Sequence, residues 1–567
     1  MGTISDKLMR IINTKEDIRQ ALISKGYDVP TSIPFKEYAK MISDLPCKVD
    51  DFPKLPGDVT RWHFGGLTNE MMAAMDDPRI EDADGKGRFL SFKNFAWKGM
   101  SGVGGYGDEN YQTFYKFTLD DYVFIASPPG VKHMNFTFRV TGLQPGNKLT
   151  LAFFGTTNTV YGTWDKDGIY TVNSAVVEVG KPVYFYNGYG ATRGEFTIEI
   201  LPLYPGFILG DGVDDFAVTE KELNFEDTYT VYTAFIPFQN NPTRNMILCG
   251  ASKKTFSMQY PSLVYVTFIA GNNYYINADF VNGLNLFACK RNGNNICIKN
   301  LLTNKVVTGT CGDWVENAGL YYLWKNATYA SFARAGIAGQ IIDNGHFTTD
   351  EEDENILNWH KKQYPWLFPD QAWTVTGKTN EDEDRATIAN ITGNDNDLVL
   401  SNFGFAEGSG YNEEGEYAGY LVTDGVDDMI GSSIFEIGKD FTIIGEWKFI
   451  IDENKGCGLV KVPKLFIYNS KTGLDIYINS NSIKNILSGI KGLNAVCSDG
   501  RVYDCNWNEI SVKYGNMVDI NSSFLIANSG NIFTKMAFKN LGIYNNQLLS
   551  KDDCIKAYNY LQTLKSK

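Results

Sequence analysis

The chain has 567 residues, enough for three to five domains that each bury a core. It carries 52 Lys and Arg against 66 Asp and Glu, a formal charge of −14 with no strong basic run, which argues against a nucleic-acid partner. No apolar run approaches the ~20 residues of a membrane span. The opening Met-Gly-Thr-Ile-Ser-Asp lacks the basic-then-apolar pattern of a secretory signal, so neither membrane insertion nor secretion by that route is expected.

Residues 3 to 45 read as helix. Ile4, Leu8, Ile11, Ile18 and Leu22 form a stripe close to a heptad seam, with Thr14 and Asp17 placed as a capping box and Gly26 as a stop. Pro34 opens a second helix with the stripe Phe35, Tyr38, Ile42 and Leu45. Two helices this short cannot bury their own stripe. They are expected to associate with identical copies, as a trimer or otherwise a dimer; packing on the next domain is the alternative. Residues 46–57 read as a proline-punctuated linker.

The rest of the chain predicts mainly β structure. Aromatics make up 14% of the residues and Gly numbers 55, in short runs between turn signals. Residues 58–106 form an opening segment. Residues 107–205 read as about eight strands of a β-sandwich: TFYKFTL, DYVFIAS, MNFTFRV, KLTLAFF, GIYTV, SAVVEV, PVYFY and GEFTIEIL. Near a turn within it, Tyr161, Trp164, Asp165, Asp167, Tyr186 and Tyr189 are candidates for glycan binding. Exposed aromatics stack on sugar faces while acids hold hydroxyls; core packing is the competing reading. Residues 206–365 and 420–567 are two further sandwiches, the second preceded by its own opening segment, 366–419.

Those two units are copies. Asp-Gly-Val-Asp-Asp occurs at 211–215 and again at 424–428, 213 residues later. Thr68-Asn69-Glu70 parallels Thr379-Asn380-Glu381, and Asn94-Phe95-Ala96-Trp97 parallels Asn402-Phe403-Gly404-Phe405. Both units close on a helix-like segment, Thr349 to Gln363 and Ser550 to Gln562. Their apolar faces, Ile356, Leu357 and Trp359 in one and Ile555, Tyr558 and Leu561 in the other, suit burial against one end of the sandwich. A central strand pair, Leu284 to Lys290 then Asn295 to Lys299, is matched with Trp507 to Val512 then Met517 to Ile520. The pentapeptide acids suit a tight turn better than Ca²⁺, since EF-hand spacing is absent. Phe216 and Met429 are expected to start the strand after it.

No catalytic constellation stands out. His63, His133, His346 and His360 are scattered without metal spacing. A glycosidase needs two carboxylates across a cleft, but Glu446 is a lone strand acid and Asp350 to Glu354 an acidic helix start. No catalytic residue, cofactor or metal is expected, and the chain reads as a non-enzyme. The nine cysteines, 47, 249, 289, 297, 311, 457, 497, 505 and 554, include no CxxC pair and read as free thiols of a reducing compartment. Cys289 and Cys297 flank a hairpin at Asn292-Gly293, where they could face each other, and are expected to stay reduced.

The duplicated strand-turn-strand opening, central strand pair and strand-then-helix ending resemble the laminin G-like, concanavalin A-like sandwiches. The head SDKLMRIINTKEDIRQALISKGYDVPTSIPFKEYAKMISDL resembles the short helical head of fibre and other virion proteins of tailed phages. GKTNEDEDRATIANITGNDNDLVLSNFGFAEGSGY is similar to a segment of structural proteins of Bacteroides phages, including crAss-like phages. The resemblance implies a virion fibre made in the host bacterial cytoplasm. It would dock on capsid or tail proteins through its head and carry sandwiches that adhere to host surface glycans. The alternatives are a fibre-borne depolymerase or a bacterial glycan-binding surface protein.

Overall fold

The computed structural model describes residues 51–566 apart from 98, 100, 106–115, 120–121, 126–132, 155–157, 177–182, 188–195, 239–245, 252–255, 261–263, 271, 279–282, 314–316, 326–331, 395, 451–456, 463–464, 471–472, 479–480, 484–491, 512–519 and 527–534. The chain divides into units 1–54 and 55–567. The stripe Ile4, Leu8, Ile11, Ile18, Leu22, Phe35, Tyr38 and Ile42 lies outside the described residues. Among the described residues no helix is long and apolar enough to cross a membrane.

Unit 55–567 is mainly β, built of facing antiparallel sheets. One sheet of the first copy runs Val306–Thr310, Asn295–Asn300, Asn285–Asn292, Thr228–Pro237, Arg334–Asn344, Ile208–Asp211, Gly102–Val103, and Asp58–His63 pairs beside Ile208–Asp211 on Arg334–Asn344. The facing sheet runs Arg79–Glu81, Phe89–Lys93, Phe216–Thr219, Tyr321–Leu323, Met246–Ala251, Phe256–Tyr260, Val264–Ala270, Asn272–Ala278. Val231, Phe235 and Ile337 of one meet Leu90, Ala217 and Leu323 of the other in a single core.

The second copy repeats this order strand for strand. Its first sheet runs Glu509–Ser511, Arg501–Asp504, Gly492–Cys497, Phe441–Phe449, Met536–Asn545, Tyr420–Val422, Gly410–Asn412, with Gln371–Thr374 on Met536–Asn545. The facing sheet runs Thr387–Ile388, Leu398–Ser401, Met429–Ile437, Ile520–Ile526, Cys457–Val462, Leu465–Ser470, Gly473–Ile478, Asn481–Ile483. Each opening segment therefore contributes strands to both sheets of its copy. One sequence match is corrected: the counterpart of Asn285–Asn292 is Gly492–Cys497, and Glu509–Ser511 corresponds to Val306–Thr310. The cysteine reading is corrected too. Cys289 pairs with Ile298 and faces the core, whereas half-buried Cys297 pairs with Lys290, so the two thiols occupy opposite faces.

The opening segments are 308 residues apart and the pentapeptides 213 because a third sandwich is inserted in the first copy. It leaves after Gly102–Val103 and returns at Ile208–Asp211, two strands paired through Ile208 and Val103. Its sheets are Gly168–Val176, His133–Thr141, Phe196–Ile200, Lys116–Leu119 and Tyr122–Ile125, Val183–Asn187, Leu149–Phe154, Asn158–Trp164. Asn158–Trp164 is a strand the sequence reading omitted. GIYTV and SAVVEV meet in one strand, irregular between Val172 and Ala175, where the β-bulge mimics a break in alternation.

The closing helices, Asp350–Gln363 and Lys551–Thr563, occupy the expected closing segments. Thr349 and Glu352 form a reciprocal capping box, and Ser550 accepts from the Asp553 amide. Each lies on the outer face of its first sheet and not at one end of the sandwich. Thr228–Pro237 is consequently buried on both sides: Val231 and Phe235 enter the core, while the Tyr232 hydroxyl donates to Asp353 on the helix, 2.8 Å away. The last helix also reaches its neighbours. The Leu284 amide donates to Tyr560 Oη at 2.9 Å, and Asn559 Nδ2 donates to Pro202 O at 3.2 Å.

Candidate binding surface beside the duplicated turn

The pentapeptide crosses from one sheet to the other, with Phe216 and Met429 opening the second strand. In both copies the first Asp accepts from the third-residue amide, Val213 or Val426, at 2.7 Å, and the last Asp accepts from the first-residue amide, at 3.0 and 2.7 Å. Gly212 and Gly425 have φ of 78° and 75°, which glycine adopts without strain. Asn94 and Asn402 donate to the fourth-residue carbonyl at 3.1 and 3.0 Å. Asn69 brackets Val103, and Asn380 brackets Tyr411, each through both backbone groups. The motifs that reveal the duplication are its scaffold. The three carboxylates of each turn do lie within 4.8 Å of one another, but the first and last Asp are held by backbone amides.

Burial pushes the Asp215 carboxyl up to about 7, against hydrogen bonds from Ser101 and the Asp211 amide. Burial likewise pushes Asp428 up to about 6. A raised folded-state pKa means the native state holds the proton more tightly than the unfolded chain. The stability this contributes is full below about pH 4 and is lost as pH rises through about 7 for Asp215. Asp215→Asn keeps an acceptor for the Asp211 amide and cannot ionise. Its thermal stability relative to wild type should therefore improve by roughly 2–4 kcal/mol between pH 4 and 8. A difference flat with pH would contradict the assignment. The comparison with wild type is needed because buried His360, pushed down to about 3 by desolvation, contributes in the opposite sense, its stabilisation being lost as pH falls below 6.5.

The sequence candidates on the inserted sandwich are mostly structural where described. Trp164 packs on Phe138 and Tyr170 at the edge of the core, with ring centroids 4.9 and 5.4 Å away. Asp167 accepts from the Gly142 and Leu143 amides and braces the loop. Asp165 is exposed and Tyr186 half-buried, paired with Tyr122 and Thr150. Tyr189 and the Tyr161 side chain lie outside the described residues. Core packing holds one side of the half-buried Trp164 ring, and turn chemistry accounts for the exposed Asp167.

A different surface is better built. Beside the first pentapeptide turn, Phe216 lies 6.4 Å from Tyr322 and 6.3 Å from Phe332, all half-buried on the outer face. Lys325 Nζ is 4.1 Å from the Phe216 ring centre and 5.6 Å from that of Phe332. Among the described residues no carboxylate pairs with it. Val213, 71% exposed, and Asp214 project at the rim. The second copy lacks the aromatics, having Met429 at the position of Phe216 and, by register, Leu525 at that of Tyr322. Sequence reasoning missed the cluster because its members span 216–332 and only long-range pairing joins them.

No protein-family model and no curated protein matches the chain. Among solved structures, the receptor-binding domain of botulinum neurotoxin mosaic serotype C/D is 10% identical, with a TM-score of 0.26 over 59% of this chain and 87% of that one. Domains LG4–5 of mouse laminin α1 are 9% identical, with a TM-score of 0.18 over 58% and 92%. Trypanosoma rangeli sialidase is 9% identical, with a TM-score of 0.25 over 90% and 99%. At such scores none of these likenesses extends to a ligand or an activity.

Proposed function

We propose that this chain is an adhesive fibre protein of a tailed-phage virion, made in the host cytoplasm, whose sandwich array carries a site for acidic surface glycan on the first copy. The helical head would join copies of the chain, as a trimer or otherwise a dimer, and dock on capsid or tail proteins. The observation that carries the adhesive role is the Phe216, Tyr322 and Phe332 cluster with Lys325 over its rings and no carboxylate partner among the described residues. An exposed cation–π contact is worth about 0.5–1 kcal/mol, less than the ~1.5–3 kcal/mol of a hydrogen bond to a charged group. A sugar carboxylate would therefore draw Lys325 off the ring and open the Phe216 face for stacking.

Binding of an acidic capsular oligosaccharide, measured by calorimetry, should weaken about tenfold or more in Phe216→Ala, a loss of ~1.4 kcal/mol, with Met429→Ala as an unaffected control. Equal affinity in wild type and Phe216→Ala, or no binding to acidic glycans, would contradict the proposal. No hydrolysis is proposed: Glu446, a lone strand acid in the sequence, is buried against Tyr420 and Lys539.

A further inference from the structure

The two copies fasten their closing helices at the same point with different chemistry. In the first, Lys290 pairs with Thr230 across the sheet, and its Nζ lies 2.6 Å from Asp353, four residues past the N-cap Thr349. In the second, the residue paired with Thr442 is Cys497, and the residue four past the N-cap Ser550 is Cys554. The two threonines are equivalent. Thr230 Oγ1 donates to His346 O and accepts from the Thr348 amide, both at 3.1 Å. Thr442 Oγ1 donates to Gln547 O and accepts from the Leu549 amide, both at 3.0 Å. The topology therefore sets Cys497 opposite Cys554 where the first copy sets Lys290 opposite Asp353. Both cysteines are fully buried; the Cys554 thiol donates to Leu549 O at 3.9 Å, and the two thiols are near enough to perturb each other's titration in opposite directions.

We propose that Cys497 and Cys554 are a disulfide site, joining the last helix to the strand Gly492–Cys497 as the covalent counterpart of the Lys290–Asp353 ion pair. The oxidant is a small-molecule disulfide such as oxidised glutathione. The Cys497 thiolate attacks one of its sulfurs, forming a mixed disulfide and releasing one thiolate, which takes up a proton. Cys554, deprotonated, then attacks the Cys497 sulfur and expels the second thiol. Two protein thiols are oxidised, one small disulfide is reduced to two thiols, and no other reagent is needed. Cys497 is the better first nucleophile: the neighbouring Cys554 thiol, helped by the Arg501 cation, lowers its pKa, while that of Cys554 is raised. Because both are buried, the reaction proceeds through local opening of the first helical turn.

The bond would close a long loop, which constrains the unfolded chain. It would also fix the helix whose Tyr560 and Asn559 reach the first copy and its connector. The inference stands on the duplication and is independent of the glycan proposal.

The test treats the full chain with oxidised glutathione, then maps peptides and follows thermal unfolding. The expected result is one linked peptide containing Cys497 and Cys554. The second sandwich should melt on the order of 5–10 °C higher, reversed by dithiothreitol. Cys497→Lys with Cys554→Asp imports the ion pair of the first copy and should fold without the link or the shift. Lys290→Cys with Asp353→Cys should create a second link in the first copy. Half-buried Cys505 reports that the oxidant reached the protein. Glutathionylated Cys505 with no peptide linking 497 to 554, or a link of Cys497 to another cysteine, would overturn the proposal.

Discussion

Asp353→Ala will destabilise the first sandwich by about 3–5 kcal/mol, among the largest single-side-chain effects in the molecule. Asp353 accepts from Tyr232 and Thr348 and lies 2.6 Å from Lys290 and 3.2 Å from Lys299. The Lys290 side chain is only 4% exposed. Removing the carboxylate leaves its ammonium in the dry layer between helix and sheet with the Thr348 carbonyl, at 2.8 Å, and the face of Phe347. An uncompensated buried charge costs far more than the intact pair contributes. Lys290→Met with Asp353→Leu should therefore recover most of the loss, because apolar residues fill the layer, the Lys290 ammonium is gone and Lys299 keeps Asp350 at 2.6 Å. Urea unfolding, read as the transition of the first sandwich, checks both. A double variant as unstable as the single one would contradict this account of the pair.

Gly102→Ala and Gly410→Ala are each expected to cost about 3 kcal/mol or more, combining left-handed strain with steric conflict. Their φ values are 141° and 155°. A Cβ on Gly102 would lie 2.4 Å from Asn69 Oδ1 and 2.9 Å from Trp97 Cα; on Gly410 it would lie 2.5 Å from Asn380 Oδ1 and 2.8 Å from Phe405 Cα. Relief requires breaking the Asn bracket or moving backbone. Gly66, with φ of 86° and open space around its Cβ position, isolates the strain alone, so Gly66→Ala should cost only ~1 kcal/mol. Similar losses at Gly66 and Gly102, by thermal unfolding, would show that the asparagine brackets do not matter.

The legible features were the local ones. The pentapeptide turn, its strand-starting Phe216 and Met429, and the closing helical segments from Thr349 and Ser550 each depend on residues within a few positions, so the sequence carries them directly. Pairing between distant strands is not local, and the sequence does not carry it directly. Trp507 to Val512 shares with Leu284 to Lys290 only a hydrophobic alternation that recurs in every strand. The Lys290–Asp353 and Cys497–Cys554 equivalence was hidden for another reason: the two pairs share a position and no chemistry. Trp164 stands beside an Asp-Gly turn, and its packing on Phe138 is a long-range contact that the local pattern does not carry. The aromatic cluster at Phe216 needed Val218 paired with Tyr322 before it existed at all.

The duplication also separates scaffold from specialisation. Residues alike in both copies, such as Asn69 and Asn380 or Asp211 and Asp424, hold the fold. Phe216 and Tyr322 are met by Met429 and Leu525, and that difference marks where one copy has acquired a surface of its own. Hydrogen exchange of the full chain with a saturating acidic oligosaccharide tests this most directly. The account predicts new protection in residues 213–219 and 321–325, and none in the equivalent 426–432 of the second copy. Protection at the Trp164 hairpin instead, or equally at both pentapeptide turns, would contradict it.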